Sequence, residues 1–144
     1  MEKVERLGQA RLGPQPLAQA VGVAALQLPE PYYEEIRLKY AARVSSLVEV
    51  LNGIEGVQAP RPRGAFYCMV DLPVDDTDRF ARFLVTDFRV DGESVVVAPG
   101  GGFYAAPESG RTQIRLAAVI GDEALFRAGQ ILDQALKAYP GRQG

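Results

Sequence analysis

Residues Val95 to Val119 read VVVAPGGGFYAAPESGRTQIRLAAV, an apolar run, a Pro-Gly-Gly-Gly-Phe turn, a polar loop and a second apolar run. Short apolar runs bounded by turn residues read as strands, and strands of this kind require neighbours and a covered face. In the second run Ile114, Leu116, Ala118 and Ile120 alternate onto one face of a strand spanning Gln113 to Ile120. Arg115 then points to the opposite face, beside Gln113 and Ala117. A guanidinium at that place needs an anion, because an unpaired charge held away from water costs several kcal/mol. Its planar fork suits bidentate capture of a carboxylate or phosphate. A structural ion pair with a local Asp or Glu meets the same need, and position alone favours that pair.

The rest of the chain supplies the cover. Glu2 to Leu12 forms a short helix ended by Gly13-Pro14. Leu17 to Leu28, LAQAVGVAALQL, is apolar on nearly every side, the pattern of a helix buried on more than one face. Pro29 and Pro31 precede a long helix to about Leu51, with Ile36, Tyr40, Val44, Leu47 and Leu51 in one stripe. Gly56 to Ala59 forms a short strand and Phe66 to Leu72 a longer one. Asp75 or Thr77 caps a helix carrying Phe80, Phe83 and Leu84. Ser94 to Ala98 is a third strand and Gln113 to Ile120 a fourth. The last helix, from about Asp122 to Tyr139, aligns Leu125, Ala128, Leu132 and Leu136 and stops at Pro140-Gly141. After Pro29 the order is α-β-β-α-β-β-α: an α+β, two-layer sandwich of helices on a small, mostly antiparallel sheet. The segment before Pro29 lies outside that pattern and needs a second surface.

Several function classes are excluded. At 144 residues the chain has the size of one domain, and a net charge of −2 gives no basic field for nucleic acid or an anionic membrane. With no histidine, His-based triads and the usual zinc sites are ruled out. The single cysteine, Cys68, allows no intrachain disulfide, sits in the apolar run FYCMV and fits a reducing, cytoplasmic setting. No apolar run approaches the ~18–20 residues of a membrane span. The run Gly100 to Gly102 matches neither GxGxxG nor GxxxxGK[ST] and reads as a tight strand exit. Asp71, Asp75, Asp76 and Asp78 lack the glycine and distal glutamate of a calcium loop, so helix capping accounts for them and no metal is assigned.

Three ordered motifs, PRGAFYCMVDLP (Pro62 to Pro73), VAPGGGF (Val97 to Phe103) and RTQIRLAAV (Arg111 to Val119), resemble the C-terminal part of class I/II aminotransferases. These are fold-type I enzymes dependent on pyridoxal phosphate, and the likeness is strongest to bacterial aspartate-type members. The opening QARLGPQPLAQAVGVAAL is similar to the last helices of that family's large domain. The resemblance implies residues 1–28 as the end of a large α/β domain and 29–144 as the small, C-terminal domain.

By the same resemblance Arg115 binds the α-carboxylate of an amino-acid or 2-oxo-acid substrate, which supplies its anion. Gly64 and Phe103 would border the cleft, with Ala65 to Tyr67 near the substrate side. The family's cofactor-anchoring lysine has no match here: Lys3, Lys39 and Lys137 all lack its motif context. The resemblance therefore implies a chain that carries no catalytic residue, binds no pyridoxal phosphate alone and works with a missing large domain. The apolar surface of Leu17 to Leu28, without that domain, predicts a homodimer or an N-terminal segment detached from the sandwich. Aspartate, aromatic and alanine-type substrates stay open. The competing expectation is a non-catalytic α+β module that binds a small anion or a protein partner.

Overall fold

The computed structural model of the chain describes residues 2–10, 13–106 and 108–143. Five helices and three strands follow in the order α1 (Glu2–Ala10), α2 (Pro16–Leu26), α3 (Glu30–Asn52), β1 (Tyr67–Asp71), α4 (Thr77–Thr86), β2 (Ala98–Pro99), β3 (Gln113–Ala117) and α5 (Asp122–Ala138). Leu12, the expected end of the first helix, lies outside the described residues. The chain divides into two compact units, with the boundary between Arg37 and Leu38 inside α3. No described helix is long and apolar enough to cross a membrane.

In the first unit α2 begins with a proline at its first turn, a position that needs no backbone donor. None of its residues is buried: Leu17, Val21, Val23 and Leu26 are 58% to 85% exposed. The side chains that the sequence marked for burial on several faces are thus laid open. Tyr33 donates its hydroxyl to the Ala25 carbonyl and packs edge-on against Tyr32.

The second unit contains the α+β sandwich. Its sheet has the order β1-β3-β2 and is antiparallel throughout. Cys68 pairs with Leu116 and Val70 with Ile114, so the inner face of β1 and β3 is apolar. That face joins a core with Val44, Leu47, Val48 and Leu51 of α3, Phe80 and Leu84 of α4, and Leu125, Ile131, Leu132 and Leu136 of α5. Gly129 lets α5 approach α3, because a Cβ there would collide with Val50.

All four expected strands are shorter in the structure, Phe66 to Leu72 by one residue at each end. Gly56 to Ala59 contributes only the bridge of Gln58 to Asp71. Of Ser94 to Ala98, only Ala98 pairs, continuing to Pro99; Ser94 instead donates its hydroxyl to the Leu84 carbonyl of α4. The strand from Gln113 ends at Ala117, opposite Tyr67, where β1 begins, so Ile120 is 43% exposed instead of covered. Asp76, rather than Asp75 or Thr77, caps α4: its extended backbone lets Oδ1 accept from the amides of Asp78 and Arg79. In α3 the expected stripe is buried at Val44, Leu47 and Leu51, whereas Ile36 is exposed.

Candidate functional site

Strand β3 is central, paired on both edges, and its register sets Arg115 between Met69 of β1 and Ala98 of β2. With Ile114 wholly buried, the alternation of a strand sends the half-buried Arg115 side chain to the outer face. Two rings meet its guanidinium. Phe103, in the 3₁₀ turn Gly101–Phe103 after β2, has its centroid 4.5 Å from Cζ, and Tyr67, diagonal to Arg115 on β1, lies at 5.1 Å. Aromatic faces at this range attract a cation without neutralising it.

Among the described residues, the local ion pair that position alone favours is not formed. Asp71 is the carboxylate on the same face of β1, and it is engaged elsewhere. It accepts from Gln113 Nε2 at 3.1 Å and from Thr112 Oγ1 at 3.4 Å, while Tyr104 donates to the other end of the Gln113 amide. Arg79, Arg111, Arg127 and Arg142 each pair with a carboxylate, but among the described residues none pairs with Arg115. A guanidinium held by rings and left without an anion is chemically a receptor for one.

Arg115 also contributes to the wall of a cavity of about 820 Å³ that opens between β3, residues 93–98 and α5. Leu51, Val95, Val97, Leu116, Leu125 and Leu132 line it, and Glu93 and Arg127 stand at its polar side. Arg127 is tied there by Glu93 and Asp91, each at 2.8 Å, and these hydrogen bonds raise its pKa above the usual value.

The other residues singled out by sequence lie apart. Gly64 occupies an exposed bend with open space around it and has no described contact to Arg115. Ala65, which follows it, takes a positive φ of 63° and turns the chain into β1. Cys68 is buried, and burial pushes its thiol pKa up, away from nucleophilic character. Asp75 accepts from Tyr139 and Asp76 caps α4, so these carboxylates have structural partners. Lys137 pairs with Asp133 at 2.7 Å, Lys3 and Lys39 are exposed on α1 and α3, and no lysine lines the cavity. Tyr67 as a ring against Arg115 follows only from strand register, and the cavity has no counterpart in the sequence pattern.

The family model described as aminotransferase class I and II matches residues 2–125. The aspartate aminotransferase of Bacillus sp. (strain YM-2) is 28% identical over 121 residues, covering 79% of this chain and 29% of that protein. The aspartate aminotransferase of Rhizobium meliloti is 31% identical over 112 residues, covering 69% of this chain and 26% of that protein. Among solved structures, the alanine aminotransferase from Pyrococcus furiosus matches with a TM-score of 0.73 and 26% identity, over 96% of this chain and 34% of that one. The chain spans about three tenths of the length of the curated relatives it matches.

Proposed function

The chain belongs to the class I and II aminotransferases, and on that premise we propose that it is the carboxylate-binding part of a pyridoxal-phosphate-dependent enzyme. Arg115 receives the α-carboxylate of an amino acid or 2-oxo acid through its two-pronged fork. The observation that carries this reading is that Arg115, alone of the sheet's charged side chains in having two rings against it, has no described carboxylate partner.

Pyridoxal phosphate supplies the family's amino-group transfer chemistry when bound. The residues of this chain do not by themselves fit that group. An imine anchor requires a lysine amine at the site; Lys137 is paired with Asp133 on α5, and Lys3 and Lys39 are exposed on α1 and α3, none with a described contact to Arg115. This chain's share of the work is to bind and orient a carboxylate, and it does not catalyse transamination alone. Residues 1–28 correspond in this reading to the end of a large domain and 29–144 to the small domain. The exposed apolar side chains of α2 support the first assignment, since they suit packing on a large domain or in a homodimer.

Substrate class is bounded by what the relatives have in common. They are named for aspartate and LL-diaminopimelate, so the α-carboxylate is the shared handle and the side chain is not fixed. The reading is tested by mixing the purified chain with pyridoxal phosphate, an amino acid and a 2-oxo acid, and by titrating it with the 2-oxo acid alone. Binding that requires Arg115, with no amino-group transfer and no lysine-bound cofactor absorbance, is expected. Turnover by the chain alone, or binding unchanged in Arg115→Ala, overturns it.

A further inference from the structure

Arg115 stands in a setting unlike that of the paired arginines around it. Its neighbours along the sheet, Met69 and Ala98, offer no charge and no acceptor stronger than a thioether sulfur in their side chains. What does touch the guanidinium comes from the two sides of the central strand: Tyr67 from β1 and Phe103 from the turn after β2. An arginine side chain in water samples many rotamers, and ordering it costs binding free energy when an anion arrives. Rings that already hold the fork remove part of that cost without using the charge.

We propose that Tyr67 and Phe103 are positioning residues that clamp the guanidinium of Arg115 in a fixed orientation, so that its fork is set to receive a planar carboxylate. This rests on the reading of Arg115 as the carboxylate site and deepens it. The clamp has its own support. Tyr67 packs edge-on against Phe66 at 5.5 Å, and Phe66 packs on Tyr40 of α3, also at 5.5 Å, so that ring is fixed from behind. Phe103 is fixed by its backbone: its amide donates to the Gly100 carbonyl, and the Gly100 amide donates to the Gln113 carbonyl of β3. Both rings therefore inherit their position from the sheet that carries Arg115. Both are also 40% to 50% exposed, so replacing them by leucine leaves the core intact.

The test observes the Arg115 Nε–Hε resonance by NMR in the intact chain, first without ligand and then with pyruvate as the carboxylate probe. The wild type should show a ring-shifted, rigid signal. In Phe103→Leu and Tyr67→Leu that signal should move to the averaged position of exposed arginines, and pyruvate should bind about two- to fivefold more weakly per ring lost. Phe103→Tyr and Tyr67→Phe, which keep a ring, should preserve both properties. A mobile, unshifted Arg115 signal in the wild type, or leucine variants that keep its rigidity and pyruvate affinity, overturns the clamp. A rigid, ring-dependent signal that does not respond to pyruvate upholds the clamp and overturns the carboxylate reading instead.

Discussion

Tyr139 donates its phenolic hydrogen to Asp75 Oδ1 across 2.9 Å, fastening the end of α5 to the loop ahead of α4. Burial, then the carboxylate beside it, pushes the Tyr139 pKa from 10.0 up to about 12. The same hydrogen bond, with help from Arg79, holds Asp75 below its ordinary value. A raised tyrosine pKa means that the folded state retains a proton the unfolded chain would release. Its contribution is complete below pH 10.0 and is lost as pH rises toward about 12. The Asp75 contribution runs the other way, present at neutral pH and lost as pH falls through its depressed pKa. Tyr139→Phe should therefore flatten the alkaline decline in denaturation midpoint and also weaken the acid-side dependence. Parallel curves for wild type and variant across both limbs would show that the pair contributes nothing.

Arg115 separates binding from stability. Because its described partners are two rings and no carboxylate, Arg115→Met should change unfolding free energy by no more than about 1–2 kcal/mol, the worth of two exposed cation–π contacts. Binding of a 2-oxo acid should fall about ten- to hundredfold, the scale of hydrogen bonds to a charged group. Arg115→Lys keeps the charge but loses the fork and should fall between. Calorimetric titration and urea unfolding of the same samples check both halves.

Gly100 offers a backbone route to the same site. A Cβ there would stand 2.6 Å from the Gln113 carbonyl oxygen and 2.7 Å from that of Gly110. Backbone oxygens cannot swing away as a side chain does, so Gly100→Ala should cost about 1–3 kcal/mol. It should also displace the 3₁₀ turn and with it Phe103, seen as a lost ring shift at Arg115. A variant as stable as wild type, with that shift intact, contradicts the close approach.

The open faces of α2 predict self-association. Sedimentation of the purified chain should show dimers forming with concentration, and Leu17→Glu with Val21→Glu should return it to monomer while leaving the sandwich's unfolding transition in place. A wild-type chain that stays monomeric throughout the concentration range excludes α2 as an adhesive surface.

What the sequence disclosed depended on how local each cause was. The alternation of Ile114, Leu116 and Ala118 around Arg115 is a two-residue period, and the structure keeps Arg115 off the apolar face as that period requires. Helix α5 likewise follows from its own stripe and its Pro140-Gly141 stop. Strand lengths did not follow, because a strand ends where its neighbour ends: Val95 to Val97 have strand-forming side chains but no ladder beside them. The fate of Asp71 was hidden for a related reason. Its partners Thr112 and Gln113 lie more than forty residues further on, and only the register of β1 against β3 brings them together. The cap at Asp76 turned on one backbone angle among neighbouring candidates, a choice that composition does not encode.

The meeting of Gly100 and Gly110 has a consequence for how the protein can vary. Gly110, at a φ of 73°, lies so close to Gly100 that a Cβ on it would be 2.8 Å from the Gly100 carbonyl oxygen. The polypeptide that leaves β2 and the polypeptide that enters β3 are thereby pinched together before the excursion between them begins. Past the Phe103 turn, the described residues Ala105, Ala106, Glu108 and Ser109 lie beyond a closed neck, so residues can be inserted or removed there without loosening the base. Variation in that excursion leaves the ring of Phe103 and the guanidinium of Arg115 in their mutual place.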